Sequence, residues 1–182
     1  MIKGTLPKKI RLPAVASMFY PGNAEELRNT VRSYLHDAED EQNSYQLHNE
    51  ENITLRVLIV PHAGYSYSGK IAAFAFRLLQ NYQPQFKRVL LMGPAHRVWL
   101  KGAAFPATDI FETPLGGIKL DKVRMQRLTE NYPWISVNDT VHAEEHSLEV
   151  QLPFLQETLA DFELLPLVVG ETKTEQLAEM IQ

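Results

Sequence analysis

No cysteine occurs among the 182 residues. Disulfides and thiolate ligands from this chain are excluded, so any transition-metal site it builds must use imidazole, carboxylate or water. Long apolar runs are also absent: no stretch approaches the roughly 20 residues a membrane-spanning helix needs. Charge of one sign is scarce, with a net of −4 and an isoelectric point near 5.9. The basic cluster Lys3, Lys8, Lys9, Arg11 is short and local, so neither nucleic acid nor an anionic membrane is expected as a partner. Leu12–Phe19 follows basic residues but is short, contains Pro13 and runs into Tyr20-Pro21-Gly22-Asn23. A cleaved signal is therefore not expected, and the cysteine-free composition fits a cytoplasmic location. Internal repeats and low-complexity tracts are missing as well.

What is present suits a single α/β domain over residues 1–182, since 45% of the chain is hydrophobic and a sizeable core is within reach. Leu27, Val31 and Leu35 give Ala24–His36 one apolar stripe, predicting a helix packed on a sheet. The acidic stretch Asp37–Asn52 reads as a solvated loop. Ile53–Val60 and Arg88–Met92 read as buried strands, with Lys70–Gln80 between them as a crossover helix opened by Ser68-Gly69. Ile71, Phe74, Phe76, Leu78 and Leu79 are its expected buried residues. Further along, Ala103–Phe105 suits a short strand, and Ile110–Thr113 and Ile118–Leu120 a hairpin around Pro114-Leu115-Gly116-Gly117. Asp121 is the expected N-cap of a helix reaching Asn131, and Phe162–Val169 another buried strand. Thr172 or Thr174 is expected to cap a last amphipathic segment carrying Leu177, Met180 and Ile181.

Pro61-His62 closes the first apolar run and Gly93-Pro94-Ala95-His96 closes the second. Parallel strands joined by a crossover usually lie side by side, about 4.8 Å apart. Two histidines leaving the same sheet edge can therefore address one ligand, and that edge is where open α/β sheets bind. A divalent metal is the economical choice, with His62 and His96 as ligands. Each histidine alone reads more readily as a strand-end residue bonded to backbone, and it is their equivalent placement that favours a shared ligand.

A second cluster spans His142-Ala143-Glu144-Glu145-His146-Ser147-Leu148-Glu149. If helical from Glu145, it places His146 and Glu149 one turn apart: His146 as ligand, acid/base or substrate contact, Glu149 as the group fixing its tautomer. Pro153 would end or kink that helix. An exposed polar helix face is the bland alternative. The same residues spell His142-x-x-Glu145-His146, the inverted zinc-peptidase motif, which additionally needs a distant carboxylate. Gly64-Tyr65-Ser66-Tyr67-Ser68-Gly69 approaches a nucleophile elbow but lacks the final glycine position, so Ser66 is weaker as a nucleophile than Ser68 as an N-cap. Tyr20, Tyr65, Tyr67 and His142 are the expected pocket lining.

Taken in order, several segments resemble the Memo family, also called AmmeMemoRadiSam system protein B, which is similar to class III extradiol dioxygenases. They are Arg11–Ala16 with Phe19-Tyr20-Pro21; Val60-Pro61-His62-Ala63-Gly64-Tyr65 with Tyr67-Ser68-Gly69; Gly93–His96; and Glu145–Phe154. The resemblance implies a central mostly parallel or mixed sheet flanked by helices, with a metal pocket at one sheet edge in which His62 and His96 match the first two ligands. Ferrous iron is the favoured metal, since two histidines plus an anionic ligand leave positions open for substrate and dioxygen; zinc or copper are alternatives. It also implies a later Ser-Asp-containing motif, supplying a histidine similar to the dioxygenase base, and a third ligand near the carboxyl end, a cysteine in some members. The sequence stops at Gln182 before both, so the C-terminal part of the family fold, and with it part of the site, is expected to be lacking. Missing strands would leave an open edge that favours a homo-oligomer. The expected function is a Memo-like metal-binding protein, either oxygenase-like or metal-handling, with a small-molecule or peptide ligand; a non-enzymatic binding module is the alternative.

Overall fold

The computed structural model describes residues 7–44, 55–80 and 86–182. In chain order, the elements begin with β1 (Ile10–Arg11), α1 (Ala24–Ser44), α2 (Tyr65–Gln80), β2 (Arg88–Pro94) and β3 (Ala103–Phe105). Then come β4 (Ile110–Thr113), β5 (Gly116–Lys119), α3 (Lys122–Asn131), β6 (Ile135–Val137) and α4 (Asp139–Ala143). A 3-10 turn at Glu149–Gln151 leads into α5 (Leu152–Thr158), β7 (Glu163–Val169) and α6 (Thr174–Ile181). Together they form two mixed sheets flanked by helices. One sheet runs β2-β7-β3-β6, with β7 parallel to β2 and antiparallel to β3. The other runs β1-β4-β5, so the expected hairpin joins a second sheet through a two-residue N-terminal strand. That strand is too short to announce itself by alternation.

β7 is buried from Leu164 to Val168, as a strand covered on both faces must be. Asp121 caps α3 by accepting from the Arg124 N–H at 3.0 Å. The cap of α6 is Lys173 rather than either threonine, because the Gln176 side chain returns to the Lys173 N–H.

Three expectations are corrected. α1 continues to Ser44, so part of the acidic stretch is helical and the rest lies outside the described residues. Its stripe is buried as expected, but its main neighbours are α2 and α5 rather than a strand. α2 starts at Tyr65, which moves Ser68 inside the helix, where its hydroxyl donates to the Ala63 carbonyl at 3.0 Å. The buried face is then Tyr65, Gly69, Ala72, Ala73, Phe76 and Leu79, a regular three-to-four spacing that turns Ile71 and Leu78 outward. Gly69 is required there, since a Cβ would come within 2.5 Å of the Tyr34 ring on α1.

The third correction concerns the first predicted strand. Ile53 and Thr54 lie outside the described residues, and Leu55–Val60 forms no strand ladder. Its side chains nevertheless alternate: Leu58 and Val60 pack on the core while Val57 and Ile59 are 66% and 93% exposed. The segment and β2 flank an apolar groove of about 340 Å³ that also takes in Phe86, Leu159 and Ile181. β2 is thus an edge strand hydrogen-bonded only to β7 among the described residues.

Candidate metal centre

Three histidines meet beyond the C-terminal end of β2. His62 lies on the Pro61–Gly64 loop before α2, His96 two residues past β2, and His146 in the irregular stretch between α4 and the 3-10 turn. Their ring centroids are 4.4 Å apart for His96–His146, 5.2 Å for His62–His96 and 6.2 Å for His62–His146. Imidazoles sharing one ion at about 2 Å have centroids roughly 5 Å apart.

Each arm is held by contacts far away in sequence. Ala95 extends β2 by donating to the Val169 carbonyl at 2.9 Å, which aims His96 off the sheet end. Gly93 permits the His146 segment to cross that end, because a Cβ there would approach the Ser147 hydroxyl to 2.6 Å. The Ser147 hydroxyl ties the crossing down by donating to the Pro94 carbonyl at 3.0 Å. On the third arm, the Gln151 amide donates to the Pro61 carbonyl at 2.9 Å, and the Tyr65 N–H donates to the Phe19 carbonyl at 2.7 Å. Phe19 then lies against His146, ring centroids 4.8 Å apart.

Glu145 joins the arms. It is 2% exposed, and its carboxylate accepts the backbone N–H of His96 at 2.6 Å and of Ser147 at 2.9 Å, with His96 Nδ1 at 2.9 Å. Burial alone would raise its pKa, but these hydrogen bonds prevail and hold it at about 2. A carboxylate so fixed accepts the His96 Nδ1 proton and leaves Nε2 as the nitrogen available to a metal, the usual arrangement behind a metal-bound histidine. His62 and His146 are both pulled below the ordinary imidazole value, first by burial and then by neighbouring charges, so they favour the neutral, ligating form. His146 Nδ1 is buried, 3.4 Å from Glu145 Oε1, and forms no hydrogen bond. A buried ring nitrogen without a hydrogen bond, lying next to a carboxylate, fits a metal ligand. His96, Glu145 and His146 bring ligand atoms within 4.8 Å of one another, a group able to hold one ion.

The remaining expected residues lie elsewhere. The helix expected from Glu145 does not form: residues 144–148 are irregular, and Pro153 sits in the first turn of α5, where its missing N–H costs nothing. Glu149 therefore turns inward. Its carboxylate, fully buried, accepts from Arg11 at 2.7 Å, from the Ala14 and Val15 N–H groups at 2.8 and 2.9 Å, and from the Tyr20 hydroxyl at 2.6 Å. All its acceptor positions are taken, so Glu145, not Glu149, is the carboxylate beside His146. Arg11 donates in addition to the carbonyls of His142 and Glu145 and lies over the Phe111 ring. His142 is 2% exposed, with Nε2 on the Ala104 carbonyl at 2.9 Å and its pKa pushed by burial to about 4. It lies in the last turn of α4 while His146 lies beyond that helix, so the peptidase pattern is not presented on one helical face. Tyr20 and Tyr65 are interior residues with raised hydroxyl pKa values, burial being the first cause, and Tyr65 donates to the Val150 carbonyl. Tyr67 is 87% exposed on α2. Sequence reasoning missed Phe19 and the pairing of Glu145 with His96; the available signal was an acid placed directly before a candidate ligand.

The family model for Memo-like protein matches residues 11–182. Among curated relatives, a MEMO1 family protein of Nitrosopumilus maritimus is 33% identical over 172 residues, covering 94% of this chain and 60% of that protein. One from Aquifex aeolicus is 36% identical over 162 residues, covering 88% of this chain and 55% of its own length. One from Ignicoccus hospitalis is 35% identical over 175 residues, covering 94% and 60%. The chain spans between 55% and 60% of the length of these relatives.

Proposed function

From the premise that the chain belongs to the Memo family, we propose that it binds a divalent metal through His62, His96 and His146, with Glu145 orienting His96. The observation that carries this reading is the convergence of three imidazoles from separate segments around one buried carboxylate. Ferrous iron is the first candidate, with zinc and copper as competitors, because an all-imidazole set accepts each of them. Such an ion would supply Lewis acidity and positions open to an oxygen-donor ligand. Glu145 would keep the His96 tautomer fixed, and Phe19 would shield one side of His146 from water.

An oxygenase-like reaction is the finer proposal, and metal handling or ligand binding without turnover is its rival. The rival is favoured by one feature: Glu149 is committed to Arg11, Tyr20 and the backbone, so it contributes no acid/base group to the pocket.

Metal analysis after anaerobic loading with iron, zinc and copper tests the site. Uptake by the unmodified chain, lost in His62→Ala, His96→Ala and His146→Ala, is expected. Metal retained in the His62→Ala/His96→Ala double variant would overturn the assignment. Iron-loaded protein that neither binds catechols nor consumes oxygen leaves the non-enzymatic reading.

A further inference from the structure

We infer that the groove between Leu55–Val60 and β2 is a docking slot for one further β-strand, supplied by the part of the Memo family length that this chain does not span. The inference is independent of the metal. Leu55–Val60 and β2 are joined through α2, and His62 and His96, each two residues past its segment, have ring centroids 5.2 Å apart. Both segments therefore finish at the same end, as strands of one parallel sheet do. Yet no ladder joins them: among the described residues Leu55–Val60 forms none, and β2 is hydrogen-bonded to β7 alone. Neighbouring strands would lie about 4.8 Å apart and share backbone hydrogen bonds; a strand between them would hold them about 10 Å apart and satisfy both edges. The groove lining favours the second arrangement. Phe76 and Leu79 of α2 and Leu155 and Leu159 of α5 line it, so helices cover this position as they cover a central strand of an α/β sheet.

The lining also limits the occupant. Beside that apolar lining, Val57, Ile59 and Leu90 are 66%, 93% and 38% exposed on the flanking segments. A strand seated there is apolar on both faces, so it should read as roughly six continuous residues rich in Val, Ile and Leu. Its source follows from length and position. The chain spans between 55% and 60% of the curated relatives, so a large share of the family length lies outside the match. Ile181, in the last turn of α6, lines the same groove, so polypeptide joined at Gln182 starts beside it. A second copy fits less well: its β2 edge is still bonded to β7, and a paired strand is too wide for a one-strand slot.

The test compares the 182-residue chain with a chimera in which the segment following the matched region of the Aquifex aeolicus relative is fused after Gln182. Amide hydrogen exchange is read residue by residue by NMR, and mass by light scattering. In the 182-residue chain, a monomer, alternate amides of β2 and those of Leu55–Val60 should exchange rapidly. In the chimera they should slow by at least about 100-fold, with the mass still that of a monomer. Val57→Lys should leave the rest of the 182-residue chain unchanged and cut the added protection in the chimera about tenfold. Slow exchange of these amides in a monomeric 182-residue chain would put the occupant within it, and slow exchange in a dimer would make it a second copy; either overturns the inference. A folded chimera in which both segments still exchange rapidly overturns it too. If the fusion does not fold, the same segment co-expressed as a separate polypeptide should co-purify with the unmodified chain one to one and lose that association in Val57→Lys. Absence of co-purification then overturns the inference.

Discussion

His142 and His146 lie on the same short segment, as do Glu145 and Glu149, yet each pair divides between two environments. His146 and Glu145 face the sheet end and its histidine cluster, where a buried ring nitrogen has no hydrogen bond. His142 and Glu149 face the interior and are hydrogen-bonded there: His142 Nε2 on the Ala104 carbonyl, the Glu149 carboxylate on Arg11, Tyr20 and two backbone N–H groups. Residue type does not separate the functional half from the structural half. Satisfaction does, because the interior half is complete in the folded chain and the outer half is not.

That contrast can be broken from the interior first. Glu149→Ala strands the Arg11 guanidinium, the Tyr20 hydroxyl and two N–H groups, and should cost about 3–5 kcal/mol of stability in urea or thermal unfolding. His142 supplies the next test. Its folded pKa, about 4, lies below the ordinary 6.5, so between these values the unfolded chain binds a proton that the folded chain refuses. Stability from this group is complete above pH 6.5 and is lost as pH falls toward 4, by about 3 kcal/mol in all. His142→Gln should flatten that part of the pH profile relative to the unmodified protein.

The outer half should respond differently. Glu145→Gln is expected to weaken metal affinity by about 10–100-fold, measured by competition with a chelator, and to leave the acid dependence attributed to His142 in place. A loss of fold comparable to that of Glu149→Ala would erase the distinction between the two glutamates. The smallest effect is expected at Tyr67, 87% exposed: Tyr67→Ala should change stability by no more than about 0.5 kcal/mol. A larger loss, or any loss of metal, would return it to the pocket lining.

Much of the fold was legible because its signals are local. The stripe Leu27, Val31, Leu35 and the capping of α3 by Asp121 each depend on neighbours within a turn or two. The hairpin from Ile110 and the strand β7 are similarly announced by a glycine-containing turn and an unbroken apolar run. The signals that failed were those with a partner elsewhere. Ile10–Arg11 became a strand only because β4 lies beside it, and Leu55–Val60 alternates correctly but meets no ladder. Pro153 was expected to stop a helix and instead sits in the first turn of one, since the chain before it is irregular.

By itself, the sequence determined that the chain is a Memo-like α/β protein and that His62 and His96 leave the ends of apolar segments, because motif order and apolar pattern are properties of the chain. Only the tertiary structure decided which groups serve these histidines. Glu145 reaches His96 across 49 positions, and Arg11 reaches Glu149 across 138. The two glutamates are four residues apart, so no local pattern could assign them. Their roles follow from the loss of helix at residues 144–148, which turns one carboxylate toward the sheet end and the other into the core.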